Sequence, residues 1–252
     1  MEHHQTLLRV ANLTKSYGSK LVLNSINFDI IEGDVLGIIG ISGAGKTTLL
    51  ECLVGFTMPE QGDVLIASKS QMFGEQAFVS VKKQKNFRRY FGFAAQFPSF
   101  YNQLTVMENL EYFGSLYGLS KSTIKNNSEI LINFVGLSGE GDTVAGTLSG
   151  GMQKRLDIAC SLIHGPKILI LDEPTADLDP ISRKHMADLI KKINSQGTTV
   201  IIASHILQEM EQICRNVSIL HDHRIQSSGT IEFLKHKRGA RTLEGVFEAV
   251  VK

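Results

Sequence analysis

Gly40-Ile41-Ser42-Gly43-Ala44-Gly45-Lys46-Thr47-Thr48 is the stretch on which the reading of this chain turns. A glycine-rich run closed by Lys and Thr is the pattern of a phosphate-binding P-loop. It follows Val35–Ile39, an apolar run that reads as a buried strand, and precedes Leu49, Leu50 and Leu53, which open a helix. Strand, glycine loop, helix is the context the pattern requires. Glycines let the backbone close around a phosphate without Cβ clashes. Backbone N–H groups and the positive helix end then face the anion. Lys46 supplies a point charge for the β- and γ-phosphates, and Thr47 a hydroxyl for Mg²⁺.

The surrounding 252 residues are 42% hydrophobic and 20% charged, an ordinary globular composition with length enough for a packed core. The formal net charge of +1 argues against a dedicated nucleic-acid binder, which carries a basic excess. Cys52, Cys160 and Cys214 are scattered without metal-ligand spacing and read as reduced, buried small hydrophobes. Met1 to Thr6 shows no charged-then-apolar signal pattern, and His3 and His4 read as part of a frayed tail. The apolar runs Val35–Ile41, Ile168–Leu171 and Val200–Ala203 fall far short of the ~20 residues that cross a bilayer, so a membrane role calls for a separate spanning partner.

Alternation predicts half-buried, antiparallel strands at Leu7–Val10 and Leu21–Ile30. Gly33-Asp34 and Gly62-Asp63 read as turns, the second leading into a short strand, Val64–Ala67. Residues 68–90 are polar and basic and fit no element by pattern; Lys82, Lys83, Lys85, Arg88 and Arg89 read as a solvated face, with a role near anionic lipid headgroups or a partner loop as the alternative. Phe91–Ala95 is a short strand ending at Gln96. Helical spacing follows over Val106–Tyr117 and Ile124–Val135, with Thr105 and Ser122 as N-caps, and again over Gly151–Ile163. Residues 98–165 thus form a helical insertion. Strands at Ile168–Asp172 and Thr198–Ser204 alternate with helices at Ser182–Asn194 and Ile206–Cys214, which implies a mostly parallel sheet. A hairpin, Val217–Leu220 with Arg224–Ser228, and an amphipathic helix, Thr242–Val251, complete the chain. The expected fold is one α/β domain over 1–252: a P-loop core, an antiparallel β subdomain, the 98–165 insertion, and a C-terminal helical extension over 236–252.

A P-loop site needs a hard oxygen ligand for Mg²⁺ at a strand end. Ile168-Leu169-Ile170-Leu171-Asp172-Glu173 supplies it. The four aliphatics suit a strand buried on both faces. Asp172 emerges at its carboxyl end, where ligands bind in such sheets, and Glu173 is placed to polarise a water against the γ-phosphate. Leu148-Ser149-Gly150-Gly151-Met152-Gln153 opens a helix with two glycines, a second set of exposed N–H groups and a second potential phosphate contact.

In this combination the sequence resembles the ATP-binding-cassette (ABC) ATPases, and the resemblance runs through nearly the whole chain. Tyr17 matches the aromatic that stacks on adenine, Gly40–Thr48 the P-loop, Gln96 the Q-loop glutamine, and Ser149–Gln153 the signature. Asp172-Glu173 match the acidic pair, Ala176–Asp179 the D-loop and His205 the switch histidine. The resemblance implies ATP and Mg²⁺ as cofactors. It implies nucleotide contacts from Tyr17, Gly40, Ser42, Gly43, Ala44, Gly45, Lys46, Thr47, Thr48, Ser149, Gly150, Gly151, Gln153 and Asp179. Glu173, His205 and Gln96 take the catalytic roles, and Thr47, Gln96 and Asp172 the metal. It further implies a head-to-tail homodimer (or a pair with a homologous ATPase) with Ser149 and Gly151 acting in trans, a separate transmembrane permease, and a place on the cytoplasmic face of the membrane.

Phe91–Gln96, Leu104–Leu110, Leu116–Leu119, Leu148–Leu156 and Thr242–Phe247 look most like the multidrug-type exporters. Ile41-Ser42, Ala94-Ala95 and Asp177 depart from that group, where Pro-Asn, Val-Pro and Gly or Ser are common. A soluble ABC-type ATPase acting on nucleic acid or ribosomes is the alternative. Such proteins usually carry long coiled coils or two cassettes in one chain, which this sequence lacks.

Overall fold

The computed structural model describes residues 5–72, 75–84 and 86–252, with no side-chain description for 69–76; His3, His4 and Lys85 lie outside the described residues. The chain forms two compact units, one from the described part of Met1–Arg88 with Thr199–Lys252, the other from Arg89–Thr198.

In the first unit, β1 (Thr6–Tyr17) and β2 (Lys20–Ile31) pair antiparallel, as their alternation predicts. The third strand, β3 (Val35–Ile39), is buried at every residue and leads through the glycine loop into α1 (Lys46–Val54). β4 (Gln61–Met72) and β5 (Glu75–Ser80) complete a sheet of order β2-β1-β4-β5. This antiparallel sheet absorbs much of the polar stretch whose reading the sequence left open. Gly62 is not in a turn: it lies inside β4, where the register against β1 shifts between Ala11 and Thr14. A Cβ there would meet the Asn12 carbonyl oxygen at 2.3 Å, and φ is +78°, so the strand passes only with glycine.

The second unit opens with β6 (Phe91–Ala94). Three helices follow: α2 (Val106–Leu116), α3 (Lys121–Phe134) and α4 (Gly150–Leu162). Thr105 caps α2 as expected, in a reciprocal capping box: its Oγ1 accepts from the Glu108 N–H at 3.1 Å while the Glu108 carboxylate accepts from the Thr105 N–H at 2.8 Å. The α3 cap is Ser120 rather than Ser122. The Ser120 hydroxyl reaches the Thr123 N–H at 3.1 Å, so the helix begins before its first apolar residue and Ser122 falls in its first turn. β7 (Ile168–Asp172) is buried throughout and runs parallel to β6. α5 (Pro180–Ser195) starts ahead of the Ser182 expected, because Pro180 at its first turn and Asp179 as its cap bring the start forward.

The first unit then resumes with β8 (Thr199–Ser204), α6 (Leu207–Ile213), and the hairpin β9 (Asn216–His221) and β10 (Arg224–Thr230). β3 lies parallel to both β8 and β9. Two helices end the chain, α7 (Ile231–Arg238) and α8 (Leu243–Val251). The sequence reading missed α7, a short charged helix with Ile231 and Leu234 as its buried residues. The expected extension boundary at 236 therefore falls inside a helix. The architecture is α/β with predominantly parallel pairing around the P-loop strand and a separate antiparallel sheet, the fold class read from the sequence.

Among the described residues no helix is long and apolar enough to cross a membrane. All three cysteines are reduced and buried, and burial pushes the Cys52 thiol up to about 11 and those of Cys160 and Cys214 well above their usual range. The described part of the basic stretch is exposed, with two arginines bound to backbone: Arg88 donates to the Gly55 carbonyl at 2.9 Å and Arg89 to that of Tyr117.

Candidate nucleotide site

The glycine loop in the first unit has the shape of an anion cradle. Gly43 and Gly45 hold φ of +79° and +101°, and Gly45 is the N-cap of α1, with no side chain capping the helix N-terminus. A helix start with no side-chain cap is the kind of N-terminus that suits an anion. A Cβ at Gly45 would meet Val22 Cγ1 at 2.9 Å, so the loop's closure against β2 depends on that glycine. Lys46 is 7% exposed, and its ammonium donates to the Gly40 carbonyl at 3.0 Å and the Ile41 carbonyl at 3.3 Å. The side chain thus arches back over the loop it follows, with its charge at the mouth of the cradle. Ser42 and Thr47 are exposed, and Ala44 and Thr48 half-buried, around it. Apart from the exposed Ile41, the side chains here are donors or small, a set that fits a polyphosphate.

Tyr17 ends β1 before the Gly18 turn and is 51% exposed, with the Lys15 ammonium 5.1 Å from its ring centroid. A half-open ring beside a cation is a suitable platform for a planar base. His205 stands exposed at the carboxyl end of β8, one residue beyond the buried Ser204.

In the second unit, Asp172 closes β7 and is 1% exposed; Glu173 follows, 7% exposed, with φ of +50°. A left-handed backbone at a glutamate costs roughly 1–2 kcal/mol, and strain of this kind collects where a side chain must be aimed. Asp177 has φ of +63°, a backbone that suits glycine and that an aspartate tolerates. Asp179 caps α5: its carboxylate accepts from the N–H groups of Ile181 and Ser182 at 2.9 and 3.0 Å and from the Ser182 hydroxyl at 2.5 Å. Those bonds, the hydroxyl's first, hold it below the usual carboxylate range.

Ser149 caps α4, its hydroxyl accepting from the Met152 N–H at 3.4 Å, and Ser149 and Gly150 are exposed while Gly151 is half-buried. The helix start is therefore open to solvent. Gln153 is turned inward: its amide donates to the carbonyls of Ala145, Gly146 and Leu148 at 3.2–3.5 Å, which orders the loop before the signature. Gln96 is exposed just past β6, and its carbonyl accepts from the Lys154 ammonium.

Two side chains that organise the Gln96 loop escaped the sequence reading. Asn109 is fully buried, accepts from the Tyr101 N–H at 2.8 Å, and donates to the carbonyls of Tyr101, Leu104 and Thr105. Asp157 is 1% exposed and accepts from the Ser99 N–H at 3.0 Å and hydroxyl at 2.7 Å. The legible signal was a polar residue on the inner stripe of a helix, at Asn109 in α2 and at Asp157 in α4.

A glycine loop leading into a helix in the first unit, and in the second an acidic strand end and a serine-capped helix that opens with two glycines, are the features of a P-loop ATPase of the cassette type. The family model described as ABC transporter matches residues 23–176, and the chain belongs to that family. It is 38% identical to the bacitracin transport ATP-binding protein BcrA of Bacillus licheniformis, across 95% of this chain and 74% of that one. It is 31% identical to the linearmycin resistance ATP-binding protein LnrL of Bacillus subtilis, across 94% and 73%. Among solved structures, cbiO1 of Clostridium perfringens, described as part of the ABC transporter complex cbiONQ, superposes with a TM-score of 0.79. That match has 28% identity and covers 92% of each chain. The protein is an ATP-binding, ATP-hydrolysing subunit of an ABC transporter, and these relatives favour that reading over a soluble ATPase.

Proposed function

We propose that the Gly40–Thr48 cradle binds the phosphates of ATP, with Lys46 at the β- and γ-phosphates and the base stacked on Tyr17. Among the described residues no group of three His, Cys, Asp or Glu is placed to hold a metal. Mg²⁺ would be held by the Thr47 hydroxyl, Asp172, Gln96 and the phosphate oxygens, and when bound it would neutralise charge on the transferring phosphoryl group. Glu173 takes a proton from the attacking water, and His205 holds the γ-phosphate. Ser149, Gly150 and Gly151 serve the ATP of a second copy in a head-to-tail dimer; their solvent-open helix start supports this. Gln153 and Asp179 contribute to the same interface as its frame, through the backbone each one orders.

The motor would sit on the cytoplasmic face of the membrane beside a separate permease. Phe97 is 80% exposed and Tyr101 45%, an apolar surface next to the Gln96 loop suited to receive that partner. Outward transport is the direction we favour, from the relatives named for bacitracin transport and linearmycin resistance.

The observation that carries the reading is the uncapped α1 start with Lys46 arched over its own loop. Titration of the full chain with Mg-ATP tests it. Lys46→Ala is expected to weaken binding at least about a hundredfold, the loss of a charge-assisted contact. Binding within threefold of the unaltered chain would place the phosphates elsewhere.

A further inference from the structure

Asp157 is a buried carboxylate that the proposed chemistry does not use. Its Oδ1 takes both Ser99 bonds, while its Oδ2 is buried with no hydrogen-bond partner. Burial pushes its carboxyl above the usual range, against the opposing pull of the Ser99 bonds and the Lys154 charge. A charge held this way is unfavourable, and an apolar residue of similar volume would pack at lower cost. What the carboxylate gains is not core packing, because Ser99 is exposed. It fixes an exposed loop to a buried helix. Lys154, one turn earlier on α4, does the same at the other end of the segment by donating to the Gln96 carbonyl.

We propose that Asp157 and Lys154 are positioning residues, which tie the Gln96–Ser99 segment to the helix that begins at Ser149. The proposal rests on the role given to Gln96 above. Anything that engages the open α4 N-terminus then acts on the Gln96 backbone through two side-chain contacts within one helix. The Mg²⁺- and water-facing glutamine and the signature thereby move as one piece. Asn109 orders the continuation of the same loop, from Tyr101 to Thr105, and leaves the segment before it to α4.

Hydrogen exchange on the full, nucleotide-free chain tests the link without catalysis. Asp157→Ala is expected to speed exchange at the Ser99 amide about tenfold or more, for one lost charge-assisted bond. Exchange in α4 and β7 should hold at wild-type rates. Asp157→Asn keeps the Oδ1 acceptor and should restore slow exchange. In steady-state hydrolysis, Asp157→Ala should lower kcat about tenfold with ATP affinity within twofold, Lys154→Met should do the same, and Asp157→Asn should recover most of the rate. Ser99→Ala, at an exposed position that cannot unfold the core, should show a smaller loss in the same direction. Unchanged Ser99 exchange in Asp157→Ala would overturn the proposal, as would parallel loss of affinity and α4 protection. A slow Gln96→Ala beside a fully active Asp157→Ala would sink the positioning role alone. A fully active Gln96→Ala would instead remove the role of Gln96 on which the proposal stands.

Discussion

Replacing Glu173 by Gln isolates the base from the backbone that aims it. The residue sits at φ +50° and is 7% exposed. Gln has the same length and branching, so the left-handed strain of roughly 1–2 kcal/mol is carried over unchanged. Only the proton-accepting carboxylate is lost. Folding stability should stay within about 1 kcal/mol, which for a chain of this size is a shift of about 2–4 °C in Tm. Turnover should fall by about 10²–10⁴, the range for losing a general base, or about 3–5 kcal/mol in the barrier at 1.36 kcal/mol per tenfold. ATP binding should persist, so the variant should accumulate as a dimer with Mg-ATP in size-exclusion chromatography. Glu173→Gly serves as the control for geometry, because glycine adopts φ +50° without strain; it should be equally slow. Hydrolysis by Glu173→Gln within tenfold of the wild-type rate would refute the assignment of Glu173 as base. An active Gln variant beside an inactive Gly variant would show that side-chain packing at 173, not proton transfer, sets the rate.

His205→Ala should lower turnover by about a hundredfold with little change in ATP affinity, since it loses a contact made to the transferring phosphate; an affinity loss with unchanged turnover of bound ATP would limit it to ground-state binding. Ser149→Arg and Lys46→Ala chains, each inactive alone, should recover activity when mixed, because one composite site of the heterodimer carries neither lesion. Confirmed mixed dimers that bind ATP without recovery would count against independent sites formed in trans. A separate test concerns acid. His164 stacks on Tyr117 at 3.6 Å between centroids, and burial, aided by Arg89, pushes it from 6.5 down to about 4 against the pull of the Phe91 carbonyl. The folded state binds the proton less well than the unfolded chain. The stability His164 provides is therefore complete above 6.5 and is lost as pH falls towards 4, by up to about 3 kcal/mol. His164→Phe keeps the stacked ring, and urea unfolding of that variant should show a flatter stability profile between pH 6.5 and 4; an identical slope would assign the acid sensitivity to other groups.

The parts of the fold visible in the sequence are those that a local rule specifies. Val35–Ile39 holds no polar residue and Ile168–Asp172 is four aliphatics closed by an aspartate, and both are strands with the bounds the sequence suggests. Thr105 caps α2 because its hydroxyl and the Glu108 carboxylate satisfy each other over one turn. The misreadings occur where a distant partner decides. Gly62 looks like a turn until Asn12 and Ala11 are laid beside it in β1. The charged α7 has too narrow an apolar stripe, Ile231 and Leu234, to declare itself. Ser120 and Ser122 are equal candidates by type, and hydroxyl reach to the Thr123 N–H separates them.

The candidate site divides along the same line. The proposed phosphate contacts would run through backbone N–H groups at helix starts, and glycines mark such places in a sequence; Gly43, Gly45, Gly150 and Gly151 were therefore legible. Residues that hold those places in position are chosen by contacts far along the chain. Asp157 reaches back to Ser99, Lys154 to Gln96, and Gln153 to the carbonyls before its own helix. On a helical wheel Asp157 is only a fault in an apolar stripe. Its meaning appears when Ser99, exposed in the loop after β6, is found on its oxygen. A buried carboxylate bound to an exposed loop marks a place where stability has been given up for position, and position is what the glutamine of that loop requires.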